Sequence, residues 1–307
     1  EDFKLTNFIA SAQQVAGLTQ DLAMASSWLT DGAAALADAA DQVSVSRESA
    51  DAGVFKIANG MPGVDDQWMR DLTEWNQRLI QEVPITYEAL SQIEANAMQA
   101  GGVAASGVRE FALMFAKLQA ATDLTGDTGA MALGQLAKLT GVAAQEYGNL
   151  GSAVVELGNN MAATESAIVQ TAQGAASSLA GVGMRAADVL GLSAAAVGLG
   201  MEPQAASTAL SKMAEDMARA AELGGAKAET YAAVLGVSAE QFAQLFKSDA
   251  AQTFLDFFVS LGSLTADGSE SILSYLDELG VKEVRQARLA KNFARVNTEV
   301  AQALTLS

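Results

Sequence analysis

Two carboxylate pairs, Glu74 with Glu82 and Glu215 with Asp216, have the residue types for acid–base chemistry. A glycoside hydrolase needs little more than two such groups, one protonating the leaving oxygen and the other activating water or attacking the sugar. Neither pair lies in a pattern that builds a pocket. With 36 Asp and Glu against 18 Lys and Arg, solvated surface is the ordinary place for them. Asp123, Thr125 and Asp127 are spaced like the start of a calcium loop. The sixth position, however, is Thr128 instead of glycine and the twelfth is Gly134 instead of glutamate, so a capped turn is expected. Gly181-Val182-Gly183-Met184-Arg185-Ala186 fits a loose dinucleotide fingerprint, which requires a preceding strand. The upstream residues Ala176-Ser177-Ser178-Leu179 stand in a helical setting, so this too reads as a turn between helices. Histidine and cysteine are absent, which removes histidine triads, cysteine nucleophiles, disulfides and most zinc sites. The expectation is no catalytic residue, no metal and no cofactor.

The elements around these residues are helical. Half of the 307 residues are hydrophobic but only 6% are aromatic, so alanine carries much of the apolar content. Alanine favours helix and buries little area, which predicts many helices packed closely through small side chains. Three prolines, Pro62, Pro84 and Pro203, leave long stretches unbroken. No alternating strand pattern occurs, and the fold class expected is all-α, a multi-helix Ala/Gly-rich domain of short antiparallel-type helices. The net charge of −18 opposes nucleic-acid binding and adhesion to anionic membranes. The start at Glu1, without methionine or signal peptide, suggests an excised or processed segment.

Residues 1–63 are only loosely amphipathic (Phe3, Phe8, Val15, Leu18, Leu22) and predict one or two weakly fixed helices and a linker. Gly60-Met61-Pro62-Gly63 is the strongest turn signal and the expected boundary with a core domain, 64–307. Asp65-Asp66 suits a helix N-terminus. Trp68, Leu72, Trp75 and Leu79 then form one apolar helical face, and Thr86 is placed to cap the next helix. Further helices are marked by Val108, Phe111, Phe115 and Leu118, and by Leu133, Leu136 and Leu139.

Residues 148–201 form a Gly/Ala-rich subregion with no charge between Ser166 and Met184. Gly174, Ser178, Gly181, Gly183, Gly191, Gly198 and Gly200 are its candidate close-packing positions, since small residues let helices approach in protein or lipid. The stretch is about long enough for a membrane span but polar for one. A buried helical hairpin is the plain reading and a membrane-inserting segment, 166–201, the sharper one. Leu190-Gly191-Leu192, Leu235-Gly236-Val237 and Leu279-Gly280-Val281 share a pattern in which glycine is expected at a left-handed C′ position. Ser238 and Gln241 predict a capping box, with Val237 and Phe242 as its hydrophobic staple. Phe254, Phe257, Phe258, Leu261 and Leu264 form an apolar stripe suited to a core. Leu289, Phe293, Val296, Val300 and Leu304 approximate a heptad seam and are the candidate homo-oligomer contact.

Taken in order, several segments resemble phage tail tape measure proteins. These are Leu72-Thr73-Glu74-Trp75, Val83 through Leu90, Met98 through Val103, Phe111 through Lys117, and Ala121 through Thr125. They continue with Met201 through Leu210, Leu235 through Phe242, Phe254 through Phe258, and Leu276 through Val281. The likeness covers roughly residues 66–300. It implies a structural virion protein that lies inside the tail tube, sets the tail length, assists assembly in the host cytoplasm and leaves ahead of the genome. It also implies the tail tube protein, tail assembly chaperones and a tail-tip hub protein as partners, with the host inner membrane or envelope met at ejection. A ruler needs long uninterrupted helix, about 1.5 Å per residue. The 27 glycines and frequent caps point instead to short helices and a folded domain of such a protein. Some members of this family carry wall hydrolases, and none is legible here. The alternatives are a membrane-active ejection protein acting through 166–201 and, less favoured, a glycan hydrolase relying on carboxylates alone.

Overall fold

Alanine-rich sequence with widely spaced prolines folds here into helices and their connecting turns. The computed structural model describes residues 2–99, 101–126, 128–264, 272–281, 283–295 and 297–306, and the side chains of all these except 2–26, 28–29 and 297–301. Among the described residues there is no strand, so the protein is all-α. The helices are α1 (Asp2–Ala58), α2 (Asp66–Leu79), α3 (Tyr87–Gln99), α4 (Val108–Ala121), α5 (Gly129–Thr140), α6 (Tyr147–Asn160), α7 (Glu165–Gly181), α8 (Ala186–Gly198), α9 (Pro203–Leu223), α10 (Gly225–Leu235), α11 (Ala239–Ser248), α12 (Ala250–Leu264), α13 (Ile272–Glu278), α14 (Val284–Arg295) and α15 (Asn297–Leu306). Two compact units divide at Ala52 and Gly53.

The first unit consists of α1 residues. Glycine does not cut this helix: α1 runs through Gly17, Gly32 and Gly53. A glycine inside a helix costs only about 1 kcal/mol relative to alanine, which good helix formers on either side offset. The glycine punctuation expected to keep helices short operates only from Gly60 onward. Residues 30–45 are all exposed.

The second unit is a layered bundle. Helix α7 packs against α5, α8 and α9; α3 lies against α4 and α5; and α9 bridges to α10, α11 and α14. Alanine dominates the centre, where Ala172, Ala175, Ala176, Ala194, Ala195 and Ala206 are fully buried. Bulk is concentrated at two places. Phe111 stacks on Phe115 and meets Tyr147 edge-on at 5.3 Å. Farther along, Phe258 meets Phe254, Phe257 and Phe293 at 5.0 to 5.3 Å, edge-on in each case, the geometry aromatic quadrupoles prefer.

Local signals set many of the boundaries. Asp65 caps α2, its Oδ1 accepting from the Trp68 N–H at 2.8 Å, and the Thr86 hydroxyl accepts from the Ala89 N–H at 3.2 Å. Ser238 and Gln241 make the reciprocal capping box of α11. Gly236, at φ +70°, closes α10 in the left-handed conformation, and Gly280 has φ +72°. Gly191 departs from the shared pattern. It lies inside α8, buried, and is no cap. The turns fall instead at Gly183 (φ +91°) and Gly200 (φ +80°), where glycine tolerates the left-handed backbone.

Candidate functional site

The small-residue region around α7 and α8 is built first by its N-terminal caps. Thr164 caps α7, its hydroxyl accepting from the Ala167 N–H at 3.3 Å. Asp123, which precedes the α5 turn, adds a second acceptor across 43 residues. Its carboxylate takes the Ser166 N–H at 2.9 Å and the Ser166 hydroxyl. Partial burial pushes the Asp123 pKa up, but the bonds from Ser166, with help from Thr164, outweigh it and hold the carboxyl below its ordinary value. The spacing predicts a capped turn here, but Thr128 makes no side-chain cap on α5, and Asp123 instead clasps this turn to the start of α7. Thr125 is exposed beside it, and Asp127 lies outside the described residues.

Gly174 marks a close approach of α7 and α9. A methyl group placed on it would lie 2.8 Å from both Cβ and Oγ of Ser207, so α7 and α9 meet where neither carries bulk. One turn on, the Ser178 hydroxyl donates to Glu215 at 2.6 Å. The other candidate positions are scattered over different tasks. Gly181 ends α7 facing open space, and Gly183 forms the turn to α8. Gly191 is buried in α8, while Gly198 is its last residue, in ordinary contact distance of Ala162. The carbonyl of Gly200 accepts from Arg288 at 3.1 Å and that of Leu199 from Asn292 at 3.4 Å, so α14 satisfies the end of α8.

Arg185 and Asp188 close the front of α8. The Asp188 carboxylate accepts from the Arg185 backbone N–H at 2.8 Å and from its guanidinium at 3.1 and 3.2 Å. The polar groups of this region bond to one another, Asp123 to Ser166, Ser178 to Glu215 and Asp188 to Arg185. The carboxylate pairs are likewise engaged or dispersed: Glu74 and Glu82 are exposed, Glu215 holds Ser178, and Asp216 accepts from Gln286 at 3.0 Å. Among the described residues no three carboxylates gather as a metal site would need, and no helix is long and apolar enough to cross a membrane.

Of the candidate seam, Leu289 and Phe293 are fully buried in the chain's own core and Leu304 is half-buried against it. Val296 lies outside the described residues, and Val300 belongs to α15. One concavity has no local sequence signal. A groove of about 660 Å³ runs between α4 and α6, floored by Leu113, Met114 and Val155 and flanked by Glu110, Lys117 and Glu156. Within it Gly151 of α6 faces Met114 of α4: a methyl there would sit 2.7 Å from the Met114 side chain. Only the pairing of helices 40 residues apart reveals it.

The geometry therefore describes a scaffold whose polar atoms join helices to one another. The chain matches no curated protein and no solved structure. A model of the phage-related minor tail protein family matches residues 73–276, about two thirds of the chain, from α2 into α13. The matched span contains the α7–α9 contact, the Asp123 clasp and both aromatic clusters except Phe293. On that match the chain belongs to the phage-related minor tail protein family.

Proposed function

We propose that this phage tail protein, a virion component, is a segment of the tail's tape measure. In this reading it lies within the tube while rings of tail tube protein assemble around it. Tail assembly chaperones hold it beforehand and a tail-tip hub protein anchors it, and it leaves ahead of the genome. The observation that carries the reading is α1, 57 consecutive helical residues attached in sequence to a domain of the tail protein family. A continuous helix is the simplest molecular ruler because its length is strictly proportional to residue number. The net charge of −18 supports passage of DNA through the same channel, since like charges resist adhesion.

The test is a phage whose gene carries a tandem duplication of residues 2–52. Tails measured by electron microscopy should lengthen by about 75 Å, from 1.5 Å per added residue. Tails of unchanged length in infectious particles would overturn the reading, leaving a tail protein with another structural task. No observation favours the membrane alternative over this one, because the apolar residues of α7 and α8 are spent inside the bundle.

A further inference from the structure

The chain has 36 acids and only 18 bases, yet four of those bases stand exposed on one short helix that holds no acid. They are Arg285, Arg288, Lys291 and Arg295 of α14. At about 100° per residue, Val284, Arg288, Lys291 and Arg295 fall within about 60° of one another, making a stripe about 16 Å long. Buried Gln286, Leu289, Ala290 and Phe293 hold the opposite face in the bundle. Arg285 flanks the stripe, and Val284 heads it with 82% of its surface exposed. Among the described residues none of the four bases is in an ion pair. The adjacent acid, Glu283, is held by Lys212 at 2.8 Å. Helix stability gives no reason for the row. Arg285 stands in the first turn, where the helix dipole favours acids. Arg285 with Arg288, Arg288 with Lys291, and Lys291 with Arg295 are like charges at three- and four-residue spacing, which weaken a helix. We propose that this stripe docks an acidic helical segment of a different protein.

Charge, spacing and the exposed valine choose this occupant. Three of the four bases are arginine, whose planar fork binds carboxylates in pairs of hydrogen bonds. A partner helix with acids three and four residues apart matches the rise of the stripe turn for turn. Val284 gives an apolar side chain of that helix something to cover, which a row of phosphates would not use. Size matters as well. Nucleic acid or an anionic bilayer extends far beyond 16 Å and would meet the surrounding net charge of −18, whereas one short helix meets the stripe alone. A second copy of the chain would bring another −18 with it, and that charge opposes self-association. Helix α14 follows the residues that the family model matches, 73–276, so the stripe lies outside that match. The proposal does not rest on the tape measure reading.

Binding of a fluorescent peptide to the full chain tests the contact. The probe is a helical peptide on the order of 15 residues long, with one leucine and three glutamates at the spacing of Val284, Arg288, Lys291 and Arg295. Binding is expected at about 10–500 μM in low salt, weakening as salt rises. An isomer with its glutamates spread round the helix should bind at least about tenfold more weakly, and so should the parent peptide to the variant Arg288→Glu/Lys291→Glu/Arg295→Glu. A peptide with lysine in place of glutamate should bind that variant and not the parent chain, an exchange that misfolding cannot produce. Lys291→Gln should leave the melting temperature unchanged or raise it. No peptide bound at about 1 mM, equal binding of the two isomers, or a melting temperature lowered by Lys291→Gln would overturn the proposal. So would tighter retention of duplex DNA or of phosphatidylglycerol vesicles than of the peptide. In assembled tails, a photo-crosslinking residue at Val284 should capture a segment of another protein with acids at helical spacing. Capture of a second copy, or of a segment lacking that row of acids, would overturn it as well.

Discussion

The Nδ2 of Asn76 donates to Oε2 of Glu94 at 3.0 Å, joining α2 to α3 with both side chains buried. In a unit held together mainly by alanine contacts, this bond fixes how the first short helix after the Gly60 turn sits on the bundle. Removing one partner of a buried bond to an acid leaves the other desolvated, which costs more than the bond itself contributes. Asn76→Ala should lower stability by about 2–3 kcal/mol in urea unfolding, and Glu94→Gln, which keeps an acceptor, should cost clearly less. Equal losses would show that the bond does not distinguish them.

Backbone proximity predicts a split among the glycines. A methyl on Gly262 would lie 2.0 Å from the carbonyl oxygen of Ala294, and one on Gly102 would lie 1.7 Å from that of Gly134. Gly262→Ala and Gly102→Ala should each destabilise by about 1–3 kcal/mol or more, since only backbone movement relieves the overlap. Gly198→Ala meets only ordinary contacts and should stabilise by about 0.5–1 kcal/mol through the unfolded chain. Thermal melts of the three variants give the comparison.

Phe293 separates core from interface. It is fully buried and edge-on to Phe258, so Phe293→Ala should cost about 3–5 kcal/mol with the association state unchanged in sedimentation. A loss of association without loss of stability would return this residue to an oligomer seam.

The Asp123 clasp predicts a pH dependence of known sign. Its carboxyl is held below the ordinary value by Ser166, so its stabilising contribution is present above about pH 4 and is lost as pH falls through the lowered folded value. Asp123→Ala should therefore melt below the parent at pH 7, and the gap should close on acidification toward pH 3. A gap independent of pH would mean that the carboxylate's charge plays no part.

An acidic chain predicts weak contact with DNA. Electrophoretic mobility of duplex DNA should be unchanged by the protein even at low salt, where attraction between opposite charges is strongest. Retention that fades as salt is raised would expose a basic surface that net charge conceals.

Helix ends were readable because their signals are local. Asp65, Thr86, Gly236 and the Ser238–Gln241 box each act within four residues, and each ends or begins a helix in the structure. The all-α class followed from composition for the same reason. Contacts that bring distant segments together left no such mark. Gly174 and Ser207 are ordinary small residues until α7 and α9 cross, and Asp123 resembled a failed calcium ligand until Ser166 arrived from 43 residues away. Gly191 misled because its flanking leucines look the same in a cap and in a buried helix. The length of α1 was hidden by glycines that the helix simply runs through. In the groove between α4 and α6, Gly151 faces Met114, a relation no spacing rule encodes.

The approach of Gly262 to the Ala294 carbonyl also governs how the domain would fail under load. Contacts between backbones at this range decay steeply, and a gap of about 0.5–1 Å already forfeits a quarter to a half of the dispersion attraction. Pulled lengthwise, α12 and α14 would hold their register almost without give and then part within a very short travel. Such a body is stiff but brittle, and it would come apart helix by helix instead of stretching.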